Sequence, residues 1–154
     1  MRDEKIEELF LETRKKFKIR TIYSVPRKDC VEASIAALRN NELLFIPLDQ
    51  NFGTGGIFVD FFGRNAATAT GPVILAMRAK AAILPCFIVR QSDDTHKIIF
   101  EPEFELVEGS DHEDTVQKNI QRLTAIIESY IRKYPAEWSW IHRRWKTQPQ
   151  LRTE

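Results

Sequence analysis

An α/β fold, with a layered mixed sheet flanked by helices, is predicted from two continuous apolar runs and the helical periodicities around them. Residues 43–48 read Leu-Leu-Phe-Ile-Pro-Leu, and residues 83–89 read Ile-Leu-Pro-Cys-Phe-Ile-Val. Runs this short and this apolar suit strands buried on both faces between helices. A helical pattern directly precedes the first run, which supports a parallel βαβ unit. The chain has 154 residues, enough for one domain that buries about two thirds of its unfolded surface. Residues 1–146 are expected to form that domain and residues 147–154 a frayed tail.

The first helix is expected over residues 3–17. Ile6, Leu9, Phe10 and Phe17 recur at spacings of an amphipathic helix, with Asp3 and Glu4 at its start and Lys15, Lys16 and Lys18 at its end, as the helix dipole favours. Residues 19–23 read as a short strand, and Pro26 marks a turn. Asp29 is a candidate cap for a second helix with Val31, Ile35 and Leu38 in one stripe, stopped at Asn40-Asn41. After the apolar run at 43–48 comes a loop with Gly53, Gly55 and Gly56, and residues 57–62 alternate as a strand does. Thr70 is expected to cap a third helix with Gly71-Pro72 in its first turn. Residues 96–104 read as a more exposed strand, paired to the run at 83–89 through Ser92-Asp93-Asp94-Thr95. Asp111 to Asp114 offer caps for a long helix bearing Val116, Ile120, Leu123, Ile127 and Tyr130, ended by Pro135. A short helix with Trp138, Ile141 and Trp145 on one side completes the reading.

Composition excludes several classes. Apolar residues are 43% and charged residues 29%, ordinary for a globular protein rather than a disordered one. The net charge of +1 argues against a nucleic-acid module, which is usually strongly basic. Cys30 and Cys86 lie outside any metal-ligand spacing, so no metal is expected, and both read as structural thiols of a reducing compartment. The N-terminus is too charged for a secretory signal, and no apolar run reaches about 18 residues, so the chain is expected to be soluble or peripheral.

Several blocks, in order, carry a family signature: Val25-Pro26-Arg27-Lys28; Pro47-Leu48-Asp49-Gln50 running to Ile57-Phe58-Val59-Asp60-Phe61-Phe62-Gly63; Ala66-Ala67-Thr68-Ala69-Thr70-Gly71-Pro72; Leu84-Pro85-Cys86-Phe87-Ile88-Val89-Arg90; and Pro135-Ala136-Glu137-Trp138-Ser139-Trp140-Ile141-His142-Arg143-Arg144-Trp145. Together they resemble the bacterial lipid A biosynthesis acyltransferases of the lauroyl/myristoyl type, with the chain corresponding to the C-terminal part. The resemblance implies a fold similar to glycerol-phosphate acyltransferases, whose N-terminal portion is not in this sequence. It implies transfer of a fatty acyl group from acyl carrier protein to a hydroxyl of a lipid A precursor, at the cytoplasmic face of the bacterial inner membrane, without a cofactor. It also implies a His-x4-Glu/Asp dyad upstream of every block quoted, in which His deprotonates the acceptor and the carboxylate orients the imidazole. On this reading the chain alone is inactive. A non-catalytic lipid- or carrier-binding module is the alternative.

His96 and Glu101 do have the dyad spacing. An odd offset on a strand puts them on opposite faces, and they follow the other blocks instead of preceding them, so the pair is rejected. His112 and His142 have Gln117 and Thr147 at that offset.

The remaining candidates are substrate-binding. Arg27 and Lys28, after a Pro turn, suit anionic groups of the lipid or of phosphopantetheine; a solvated basic turn is the plainer role. Asp49 ends a predicted buried strand, where α/β sheets place ligand crevices, or it caps its own loop; Gln50 binds alongside or braces that loop. The N–H groups at Thr70 and Gly71 open a helix and suit an anion, or merely reflect capping. Phe58, Phe61, Phe62 and Phe87 read as core or as lining for an acyl chain. Arg143, Arg144 and Lys146 among the tryptophans suit a membrane surface or an acidic carrier, with Trp138 and Trp145 inward and Arg143 and Arg144 outward. An unpaired sheet edge at 19–23 or 43–48 makes self-association of the chain an expectation.

Overall fold

The computed structural model describes residues 4–149, and the chain divides into two compact units between Leu44 and Phe45. Among the described residues the fold is mixed α/β, with four α-helices and two small antiparallel sheets.

In the first unit, α1 spans Glu4–Lys16 with Glu4 and Glu7 in its first turn and Arg14, Lys15 and Lys16 in its last. It closes on Lys18, whose φ of 57° turns the chain so that the Ile19 N–H reaches the Arg14 carbonyl, a left-handed helix stop. Helix α2 spans Arg27–Arg39 with Pro26 at its N-cap. Asp29 therefore lies inside the first turn and does not cap, contrary to expectation. Proline suits the position because its fixed φ, here −65°, is already that of a helix entrance. The expected stop holds: Asn41 takes a φ of 60° and the Asn40 N–H returns to Ala36.

Neither predicted strand of this region forms. Residues 19–23 carry no ladder, and Arg20 pairs with Glu42 at 2.8 Å. Residues 43–48 also lack a strand partner among the described residues, and exposure alternates along them, with Leu43 at 94% and Phe45 at 81%. Apolar content reports a preference for burial, whereas a strand also needs a neighbour's N–H and C=O groups. The predicted parallel βαβ unit and single mixed sheet are accordingly not observed.

In the second unit, a 3-10 turn at Gly53–Gly55 leads into β1 (Ile57–Phe61), paired antiparallel with β2 (Arg64–Thr68). Gly56 enters so close that a β-carbon would meet the Thr68 carbonyl oxygen at 2.7 Å. The Phe62-Gly63 turn has positive φ at both residues, 57° and 72°, the twist a two-residue hairpin prefers. Strand β2 is absent from the sequence reading. Helix α3 spans Gly71–Ala79; Thr70 stands at its N-cap but makes no side-chain cap, its φ and ψ being already helical.

Strands β3 (Cys86–Arg90) and β4 (His96–Phe100) form the expected hairpin. Its turn is closed by Asp93, which accepts from the Thr95 N–H and hydroxyl. The run at 83–89 is therefore half-exposed instead of buried on both faces: Ile88 and its cross-strand neighbour Ile98 are each 59% exposed, and Cys86 lies on the same open face.

Helix α4 (His112–Lys133) organises the unit. Asp111 accepts from the Asp114 N–H at 2.8 Å, the predicted cap. Val116, Ile120 and Leu123 join Val59, Val73 and Phe104 in the main core, and Ile131 joins Phe61 and Ala66 in a second. Its polar side chains also stand in for a missing strand. Gln121 accepts from the Asp60 N–H at 2.7 Å and donates to the Asp60 carbonyl at 3.0 Å, Gln117 donates to Phe58, and Glu128 accepts from Phe62. The edge of β1 not used by β2 is thus satisfied from α4.

Candidate functional site

Beyond α4, Pro135–Glu137 forms a 3-10 turn, and residues 138–147 continue as turns and bends in place of the predicted helix. A chain without helical periodicity is free to send alternate side chains opposite ways. Trp138, His142, Arg144 and Trp145 turn inward; Trp140, Ile141, Arg143 and Lys146 stay exposed.

The inward set binds backbone and side-chain groups at points far apart in sequence. The Trp138 indole N–H donates to Asp49 Oδ2 at 3.1 Å. His142 Nε2 accepts from the Asn51 N–H at 2.9 Å, which places the proton of a neutral imidazole on Nδ1. Asn51 in turn donates to Thr147 Oγ1 at 3.1 Å, and Trp145 donates to the Phe61 carbonyl at 3.2 Å. Thr147 is thereby held in place; residues 150–154 of the expected tail lie outside the described residues.

Arg144 is the centre of the cluster and has no exposed surface. Its Nη1 donates to the Ala67 carbonyl at 2.6 Å and its Nη2 to the Thr68 hydroxyl oxygen. The Thr68 hydroxyl spends its own proton on the Ala66 carbonyl at 3.0 Å, so its lone pairs face the guanidinium. The Arg144 plane also lies over the Phe61 ring at 5.2 Å. Burial lowers the guanidinium below its ordinary value, and the Asp49 carboxylate opposes that shift. An arginine stays charged regardless, so the site holds one fixed positive charge beside one carboxylate. Two atoms in the cluster, Arg144 Nε and Asn51 Oδ1, are buried without a hydrogen-bond partner among the described residues.

The predicted binding residues separate into two sets. Arg27 and Lys28 begin α2 in the first unit, both exposed, with Lys28 3.9 Å from Glu32. Asp49, Thr70 and Gly71 belong to the second unit, where the closing segment reaches both neighbourhoods, Arg144 gripping Thr68 just before Thr70 and Trp138 holding Asp49. Gln50 is exposed. Arg143 and Lys146 are exposed as expected, but Arg144 points inward and Ile141 outward, both opposite to expectation. Asn51 and Thr68 were missed by the sequence reading, since a lone amide and a hydroxyl carry no signal of their own. Phe61 is fully buried, while Phe58, Phe62 and Phe87 are half-buried.

His96 opens β4 exposed; Glu101 instead accepts from the Tyr130 hydroxyl, whose ring stacks on Phe87 at 3.6 Å. His112 is exposed at the first turn of α4. Among the described residues no three His, Cys, Asp or Glu side chains are grouped to hold a metal, and no helix is long and apolar enough to cross a membrane.

The family model for bacterial lipid A biosynthesis acyltransferases matches residues 1–147. The chain is 32% identical over 118 residues to a lipid A biosynthesis palmitoleoyltransferase of Escherichia coli K12, covering 75% of this chain and 37% of that protein. It is 30% identical over 128 residues to the lipid A biosynthesis lauroyltransferase of the same organism, covering 80% and 40%. A lipid A biosynthesis acyltransferase of Haemophilus influenzae is 28% identical over 116 residues, covering 75% and 35%. The matched segment thus spans well under half the length of these relatives.

Proposed function

Because the chain belongs to the bacterial lipid A biosynthesis acyltransferase family, we propose that it supplies the binding and positioning part of an acyltransferase. The full enzyme moves a fatty acyl group from acyl carrier protein to a hydroxyl of a lipid A precursor, at the cytoplasmic face of the inner membrane. The observation that carries this reading is the Asp49–Trp138–Arg144 cluster. It ties two family blocks to the closing one, fixing a carboxylate and a buried cation beside the segment that starts α3. Such preorganisation suits the holding of a polar acceptor whose hydroxyls donate to the Asp49 carboxylate. In this scheme Asp49 and the N–H groups at Thr70 and Gly71 face substrate, Gln50 adds a contact, and Arg144 positions the frame from behind; in the first unit, Arg27 and Lys28 bind anionic groups on their own.

In this scheme the acid–base dyad is supplied outside these residues, a reading supported by the described residues, among which no histidine is paired with a carboxylate. On this scheme the chain alone does not turn over. Acyl transfer assayed with an acyl carrier thioester and a lipid A precursor is expected only from a family-length protein, and Asp49→Asn in that protein is expected to lower kcat/KM at least tenfold. Turnover by the 154-residue chain, or an unaffected Asp49→Asn enzyme, overturns the scheme. The same histidine geometry favours a second reading, a lipid- or carrier-binding module without turnover; a family-length protein that binds both substrates yet transfers nothing would establish it. The segment at residues 43–48, exposed at Leu43 and Phe45, is where a layered mixed sheet would continue. It also supports self-association of the isolated chain, which sedimentation velocity measures.

A further inference from the structure

The outward set of the closing segment stands on a hydrogen-bonded backbone. Ile141 is 93% exposed and Trp140 55%, and Trp140 is anchored. The Trp140 indole N–H donates to the Pro135 carbonyl at 2.6 Å, and its ring meets Trp138 edge-on at 4.8 Å and Phe62 at 6.3 Å. The loop backbone closes on itself from Trp140 to Trp138, His142 to Ser139 and Lys146 to Arg143. His142 and Arg144, bonded beneath it, prevent the loop from folding its apolar tip inward.

Cations surround this tip. Arg143 and Lys146 are exposed within the loop. Arg64 lies over Trp145 at 5.0 Å, extending the basic rim along the same aromatic chain, while Arg132, over Phe62 at 4.6 Å, is paired with Glu128 at 2.6 Å. Of the nearby carboxylates, Glu128 is neutralised by Arg132, and Glu137 accepts from the Arg90 N–H on the far side of the 3-10 turn. A rigid tryptophan and a bare isoleucine inside a basic rim match the boundary of an anionic bilayer, where the indole sits at headgroup level and the cations meet phosphates. An acidic protein surface would use the cations but leaves Ile141 unexplained.

We propose that residues 139–146 form a membrane-contacting loop, with Trp140 and Ile141 entering the headgroup layer of an anionic lipid surface and Arg143 and Lys146 binding its phosphates. The inference rests on the lipid-directed reading above. Its test reads vesicle contact without turnover, so failure of one is distinguishable from failure of the other.

The 154-residue chain is sedimented with vesicles of phosphatidylethanolamine and phosphatidylglycerol, and separately with phosphatidylcholine vesicles. Binding is expected to favour the anionic vesicles, and Arg143→Gln and Lys146→Gln are expected to weaken it roughly fivefold each. Helix α1 has exposed apolar residues of its own but no tryptophan. Quenching of fluorescence by brominated lipid therefore reports on the closing segment: it is expected in the parent chain and in Trp138→Phe, and lost in Trp140→Phe. Near-UV circular dichroism verifies that the variants remain folded. Quenching that survives Trp140→Phe, or binding indifferent to Arg143→Gln and Lys146→Gln, overturns the proposal. So does binding to an acidic carrier protein that these substitutions abolish while brominated lipid never quenches.

Discussion

Asp49 and Trp138, 89 positions apart, are joined by an indole N–H···O bond of 3.1 Å. Trp138 also meets Phe61 edge-on at 5.7 Å. Packing and hydrogen bonding are thus separable here, because phenylalanine keeps an aromatic ring and loses the donor. Trp138→Phe is expected to cost about 1 kcal/mol in urea unfolding. In a double-mutant cycle with Asp49→Ala the coupling is expected at roughly 0.5–1.5 kcal/mol. A coupling of zero would mean that Asp49 is not held by the indole.

Adjacent arginines provide the second expectation. Arg144 is buried on the Ala67 carbonyl and the Thr68 hydroxyl, whereas Arg143 is exposed. Arg144→Lys replaces a planar fork by a single ammonium and leaves one acceptor without its donor. A loss of about 1–3 kcal/mol is expected. Arg143→Lys is expected to stay within about 0.5 kcal/mol of the parent, and thermal unfolding of the two variants side by side measures the contrast.

The sequence made some elements plain because local chemistry alone determined them. The 3.6-residue spacing of Val116, Ile120, Leu123 and Ile127 and the Asp111 cap sufficed for α4, and Asp93 marked the β3–β4 turn. Strand β2 was not legible, since Arg-Asn-Ala-Ala-Thr has neither β-branched alternation nor an apolar run. Its position follows from the Phe62-Gly63 turn and from burial of Ala66 and Ala67 against neighbours distant in sequence. Residues 43–48 misled for the opposite reason: their apolar character is local, whereas strand pairing depends on a partner. In the site, Asp49 stood out by its place after an apolar run. The inward turn of Arg144 was hidden because charge ordinarily marks a surface residue, and only Phe61, Thr68 and Asp49 together make burial tolerable.

A third expectation concerns the open edge of β1. Gln121 meets both the N–H and the carbonyl of Asp60, a pattern that only an amide can complete. Gln121→Glu keeps the acceptor and sets a carboxylate oxygen against the Asp60 carbonyl, while Gln121→Leu leaves both backbone groups to solvent. Each is expected to cost about 1–2 kcal/mol. Exchange of the Asp60 amide hydrogen should accelerate in Gln121→Leu more than that of the Val59 amide. Equal protection at both positions would show that the amide does not hold this edge.

Glu128 gives the stability of this unit an acid-side dependence. Burial pushes its carboxyl upward, but the Phe62 N–H at 2.7 Å and then Arg132 outweigh this and hold it below the ordinary 4.5. The folded state then binds this proton less readily than the unfolded chain does. The stabilisation is fully present above 4.5 and is lost as pH falls through the lower folded-state value. Glu128→Gln can still accept from Phe62 but carries no charge, so about 1 kcal/mol should separate it from the parent at neutral pH. That gap is expected to stay constant from about pH 6 upward and to close as pH drops below 4.5. Urea unfolding of both proteins across this range measures it. A gap that persists undiminished at low pH would assign the role of Glu128 to packing, and the Phe62 turn, with its φ of 57°, would then owe its stability to the surrounding aromatic rings alone.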